Sequence, residues 1–191
     1  MTRPPVGFPT ALAAGLALLV GCQDGASLSA ERGRLDLADR DPSVEPVRLD
    51  GEWEFYWDRL LTPEDFQSGR AAPPASFLRL PSTWRGVEFD GARLPGTGTA
   101  TFRLRLNLGE GERRLSLRLF DLASAWRLWA NGTLLAECGE VGSDFATEIE
   151  DWSTRLVALP RASGPVELVL QVSNFHEREG GVVSPILLGD E

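Results

Sequence analysis

Ala100-Thr101-Phe102-Arg103-Leu104-Arg105-Leu106-Asn107-Leu108 alternates apolar and polar residues without a break. That period of 2 puts Ala100, Phe102, Leu104, Leu106 and Leu108 on one face of a β-strand and Thr101, Arg103, Arg105 and Asn107 on the other. A helical repeat would scatter the leucines around its circumference. Downstream the design recurs. Leu115, Leu117 and Leu119 repeat it, and Val166, Leu168, Leu170 and Val172 alternate with Glu167, Val169 and Gln171 after a Gly164-Pro165 turn. Ala125–Ala130 and Thr133–Cys138 flank Asn131-Gly132, a dipeptide that favours a two-residue type I′ hairpin because both residues tolerate positive φ. Leu156–Leu159 and Val182–Leu188 complete the set.

Upstream, Trp53, Phe55 and Trp57 alternate with Glu52, Glu54 and Tyr56, which predicts a half-buried strand. Thr62-Pro63-Glu64-Asp65 reads as the cap and first turn of a short helix ending near Phe66, and Phe77–Leu80 as an edge-like strand stopped by Pro81. About nine strands with almost no helix and no internal repeat predict an all-β fold, an antiparallel β-sandwich of the jelly-roll type.

At the other end of the chain, Ala11 to Val20 is an apolar run preceded by Arg3, the pattern of an export signal. Ten residues are too few for a membrane span, which needs about 20. The run closes in Leu19-Val20-Gly21-Cys22, which resembles the lipobox of bacterial lipoprotein precursors. Cys22 is therefore the expected lipidation site, leaving Cys138 as the one thiol of the mature chain, a small buried hydrophobe without a disulfide. Acyl chains at Cys22 would hold the protein at a membrane of the cell envelope. Gln23 in place of an inner-membrane retention aspartate favours the periplasmic face of the outer membrane. The expected organisation is a signal peptide over 1–21, a flexible tether over 22–46 and one binding domain over 47–191. Asp36, Asp39 and Asp41 fall in that tether without the glycine and terminal glutamate of a calcium loop.

Composition narrows the function. A net charge of −9, with 28 acids against 19 bases, argues against nucleic acid as a partner. All the bases are arginines, scattered over every segment. His176 is the single histidine, so multi-histidine metal sites are excluded, a Cys138–His176 nucleophile pair lacks anything local to activate the thiol, and no cofactor or catalytic motif is recognisable. The reading is a non-catalytic module. Six tryptophans serve a core or a ligand platform equally. Trp53, Trp57 and Trp126 fit the core, whereas Trp84, in the loop Pro81–Gly86, and Trp129, on the arginine-bearing face of its strand, are the candidates for a surface.

Leu49-Asp50-Gly51-Glu52-Trp53-Glu54-Phe55-Tyr56-Trp57, Pro81-Ser82-Thr83-Trp84, Gly98 to Leu104, Asn131-Gly132 and Val172-Ser173-Asn174 together resemble one family. It is the extracellular sensor module of bacterial seven-transmembrane receptors with diverse intracellular signalling modules. Gly139–Gly142 and Asn174 to Gly181 extend the likeness, which covers about residues 47–189. The Gly-x-Trp, Pro-x-x-Trp and Asn-Gly pattern is also similar to the sugar-binding domain of β-galactosidases and β-glucuronidases. The resemblance implies a galactose-binding-like jelly roll with a carbohydrate or other small-molecule ligand. Its loops would supply Trp84 and Arg85 from one segment and Asn174, His176 and Arg178 from another, as stacking surface and forked donors. Alternatively, Asn174 caps a strand end and Arg178 pairs with nearby acids. Three classes of function stay open: a lipid-anchored binding module serving a transport or signalling partner; a lipoprotein that docks another envelope protein through an exposed apolar patch; and a hydrolase with carboxylates converging about 5–9 Å apart.

Overall fold

The computed structural model describes Met1 and residues 28–190 apart from 72, 75 and 121, so the export signal and Cys22 lie outside the described residues. In chain order the strands are β1 Arg34–Asp36, β2 Val47–Arg48, β3 Gly51–Trp57, β4 Ser76–Leu80, β5 Ser82–Thr83, β6 Glu88–Phe89, β7 Ala92–Arg93 and β8 Gly98–Asn107. They continue with β9 Arg113–Leu119, β10 Ala125–Ala130, β11 Thr133–Cys138, β12 Arg155–Ala162, β13 Pro165–Asn174, β14 Gly181–Val182 and β15 Leu187–Asp190. The helix α1 is Pro63–Gln67, opened by a capping box between Thr62 and Asp65.

Strand β8 is the centre of the larger sheet, whose order is β11-β10-β13-β8-β3-β4. It pairs along its whole length with β13, Gly98 opposite Asn174 and Asn107 opposite Pro165. Its other edge is shared, with β3 taking Ala100 to Arg103 and β1 running parallel beside Arg105 to Asn107. The smaller sheet has the order β12-β9-β15-β2. Between the sheets Phe102, Leu104, Leu168 and Leu170 meet Leu115, Leu117, Leu159 and Leu188 in one core. Each such side chain contributes about 1.5–3 kcal/mol by leaving water. The alternation read from the sequence is thus that of an antiparallel sandwich. Asn131 and Gly132 have φ of 47° and 84°, as the hairpin requires.

Three expectations change. Strand β3 is buried on both faces, not half-buried, because the turn at Gly33 and residues 58–71 cover the outside of the larger sheet there. Leu61 N donates to Thr101 Oγ1 at 2.9 Å, Gln171 Nε2 donates to the Leu61 carbonyl at 3.1 Å, and Phe66 packs on Tyr56 and under the Arg103 guanidinium. Val182–Leu188 is two strands rather than one, broken at Ser184-Pro185 and belonging to different sheets. Finally, the segment expected to be a flexible tether is largely part of the domain: Ala30, Leu35 and Leu37 are buried, and β1 adds to β8. Leu35 and Leu37 alternate with Arg34 and Asp36 over too few residues for the period to show.

The chain enters beside Gly51, where Ala30 pairs with it and Arg79 donates to Ser29 Oγ at 3.2 Å. Trp57, Gly98 and Asn174 mark the opposite end of the larger sheet.

Candidate binding site at the loop end of the sandwich

Two loops meet at the Trp57 end. Strand β5 pairs with β14, and Trp84 N donates to the Gly180 carbonyl at 3.0 Å. The Gly96 carbonyl then accepts three hydrogen bonds, from Trp84 Nε1 at 3.0 Å, Asn174 Nδ2 at 2.8 Å and Gly180 N at 3.0 Å. A Cβ on Gly180 would lie 2.2 Å from the Trp84 ring, so only glycine allows this approach.

The two loops singled out in the sequence meet in the structure, but two of the five residues named there lie inside, Asn174 in the strand-end position that was the alternative for it. Trp84 is 0% exposed and packs edge-on against Trp57 at 5.4 Å, so it is core rather than surface. Asn174 is equally buried. Its Nδ2 donates to Gly96 and Glu177 carbonyls and its Oδ1 accepts from Glu177 N, which occupies both amide N–H groups and engages the amide oxygen. Both are scaffold. The other three are exposed: Arg85 forms a loose 3.5 Å ion pair with Glu179, Arg178 makes no ion pair with a described side chain, and His176 lies against Phe145 with ring centroids 4.2 Å apart. Trp129, the other surface candidate, is half-buried on the outer face of the larger sheet.

Phe145 belongs to the loop 139–154, of which the sequence analysis singled out only Gly139–Gly142. Its fixing point is Glu148, whose buried Oε1 accepts from Ser124 Oγ at 2.5 Å and Phe175 N at 3.0 Å, holding the loop against the end of β13. Asp144 folds the tip by accepting from Ala146 N and Thr147 N, and these bonds, that of the Thr147 hydroxyl foremost, hold its carboxyl below the usual range. Phe145 is consequently 66% exposed and Trp152, further along, 44% exposed. Isolated aromatics in a loop rich in acids and threonine were the available signal. Cys138 is buried, donates to the Asp151 carbonyl at 3.4 Å, and has its thiol pushed up by burial, as an inert core residue does.

Among the described residues no group of three or more His, Cys, Asp or Glu is placed to hold a metal ion. Glu54 and Glu167 converge, but on Arg103, which pairs with both.

No protein-family model matches this sequence, and no curated protein is similar to it. Solved structures are similar in shape. The chain matches Ruminococcus gnavus β-glucuronidase with a TM-score of 0.55 at 13% identity, covering 75% of this chain and 27% of the enzyme. A β-glucuronidase from an uncultured Clostridium sp. gives 0.55 at 15% identity, with 75% and 28% covered. A GH2 β-galacturonidase from Eisenbergiella tayi bound to galacturonate gives 0.52 at 10% identity, with 76% and 24% covered. The fold is an antiparallel β-sandwich similar to the β-sandwich domain of these enzymes. This chain spans about a quarter of the length of those enzymes, and at such identities the likeness concerns the fold alone. None of these matches supports the resemblance to the receptor sensor module, which rests on the motifs quoted above. No described helix is long and apolar enough to cross a membrane.

Proposed function

We propose that this protein is a lipid-anchored, non-catalytic carbohydrate-binding module of the bacterial cell envelope. In this reading the ligand lies across Arg85, Phe145, His176 and Arg178 and is passed or presented to a transport or signalling partner. The observation that carries it is the loop end itself: a dense scaffold around the Gly96 carbonyl holds an exposed aromatic pair and two arginines outward. Aromatic faces stack on sugar rings, and guanidinium forks take carboxylates and hydroxyls. The neighbours in shape are glycosidases, one of them bound to galacturonate, which agrees with an acidic or neutral sugar. Chain entry at the opposite end agrees with an anchor at Cys22, since it leaves these loops pointing away from the lipid.

The test is a thermal-shift screen of the full chain in detergent against neutral sugars, uronates and peptidoglycan fragments. A ligand at 100 times its dissociation constant adds about 2.7 kcal/mol, a shift of several degrees. The reading requires that His176→Ala or Arg178→Ala abolish the shift without lowering the unliganded midpoint.

A second reading, a lipoprotein that docks another envelope protein, is favoured by Ile149, Trp152 and Leu156, apolar and exposed within one stretch of chain. A flat sugar screen together with a protein partner lost in Trp152→Ser would support it.

A further inference from the structure

At the end of the larger sheet away from those loops, its outer face carries an open cleft of about 550 Å³ over β1, β8 and β13. Its lining includes Arg34, Asp36, Arg105, Asn107, Asn131 and Glu167. The register puts Arg34 directly beside Arg105 and Glu167 on the other side of Arg105. Since Leu35 and Leu106 point into the core, the arginines share the outward face.

Two like charges in directly paired positions repel unless something lies between them. Arg105 is held by Glu54, but Arg34 has no ion pair with a described side chain, and Arg105 Nε is buried with no hydrogen-bond partner. The acids nearby leave this demand unmet. Glu167 gives its Oε1 to Arg103, and Asp36 Oδ1 accepts from Ala38 N and Asn107 Nδ2. Each keeps a second carboxylate oxygen without a described partner. Asn131, whose Oδ1 accepts from Glu167 N, keeps its amide N–H groups for a ligand. The cleft thus offers unused cationic donors at one side and unused acceptors at the other.

We propose that this cleft is a second binding site, for a small carboxylate bearing several hydroxyl groups, in chemical terms an acidic sugar. The ligand carboxylate sits between Arg34 and the solvent-facing part of the Arg105 side chain, separating the two guanidinium groups. Its hydroxyls donate to Asp36 and Glu167 and accept from Asn131. A neutral sugar lacks the group that relieves the arginine pair and binds more weakly. This inference is independent of the loop-end reading, because the cleft shares no residue with that surface.

Calorimetric titration of the full chain in detergent with sodium galacturonate and sodium glucuronate, and with galactose as the neutral counterpart, tests it. Expected are saturable binding of at least one uronate, galactose weaker by about tenfold or more, and a dissociation constant raised about tenfold in Arg34→Gln. Arg34 is exposed, so that variant should keep the wild-type circular dichroism and melting curve. Asp36→Asn provides a second probe of the cleft, expected to weaken the uronate through its hydroxyls. Arg118→Gln, which removes an exposed arginine from the smaller sheet and touches neither site, should leave uronate binding unchanged. Absence of saturable uronate binding would overturn the proposal, as would equal affinity for galactose. Uronate binding lost in His176→Ala and Arg178→Ala but intact in Arg34→Gln would overturn it while supporting the loop-end site, whereas binding weakened in Arg34→Gln and intact in the loop variants supports this cleft and leaves the loop-end site to be tested with neutral sugars.

Discussion

A Cβ on Gly33 would fall 2.6 Å from Cγ of Glu54. The turn that carries Gly33 closes over the glutamate, which is 3% exposed while its carboxylate pairs with Arg105 and Arg103 and accepts from Tyr56 Oη at 2.9 Å. Gly33 also has φ of 72°, so alanine meets both a strained backbone and a filled space. Gly33→Ala should lower stability by about 1–3 kcal/mol in a denaturant titration. An unchanged midpoint would mean that the turn does not cap the carboxylate.

Glu54→Gln keeps the shape and removes the charge that both arginines share. Breaking a buried ion pair from one side costs about 3 kcal/mol or more, and the lower end is expected here because Arg105 is partly open to solvent. The same denaturation experiment measures it, and a cost near zero would assign the network no structural weight.

Tyr56 gives a pH signature. Burial, and after it the neighbouring Glu54, pushes its phenol above the ordinary value near 10. The folded state therefore keeps a proton that the unfolded chain releases, so its contribution is complete below about pH 10 and is lost as pH rises beyond that. Melting temperatures between pH 8 and 11 should fall more steeply in the wild type than in Tyr56→Phe. Parallel curves would show that the phenol does not titrate in the unfolding equilibrium.

Trp84→Ala should destabilise the protein by about 3–5 kcal/mol, the cost of emptying a large core site, instead of merely weakening a ligand. A stable variant with impaired sugar binding would return Trp84 to the surface where the sequence suggested it. That suggestion failed for a physical reason. Pro81–Gly86 has the composition of a loop, and nothing local announces that its indole turns inward to reach the Gly96 carbonyl, twelve residues on. Long strands were readable because five or more alternating residues outweigh chance, as in β8 and β13, and the hairpin because Asn131-Gly132 needs positive φ. Strands of two or three residues such as β1 carry no period, and β3 hides its second buried face because the cover comes from the turn at Gly33 and residues 58–71. Of the proposed site, the exposed arginines and His176 came from motif resemblance, whereas Phe145 is defined only by its contact with His176.

The proposed lipid anchor makes the most direct geometric prediction. Mass spectrometry should find a diacylglyceryl adduct on Cys22, and Cys22→Ser should release the protein from membranes, which acyl chains otherwise hold stably. Seven residue steps separate Cys22 from Ser29, which is already bonded to Arg79, so the chain between lipid and domain reaches at most about 25 Å. The sandwich itself is longer, since ten strand residues extend about 33 Å. With the proposed anchor at Cys22, a domain that enters beside Gly51 would be held with that end near the bilayer and the His176 loops beyond it. Cys138 is buried and leaves the surface free for single labels. With a dye at Asp39→Cys and then at Arg178→Cys, energy transfer to labelled lipid headgroups should be clearly stronger from position 39. Equal transfer from both would mean that the domain tumbles on its anchor or lies flat, and the loop end could then not be regarded as presented away from the membrane.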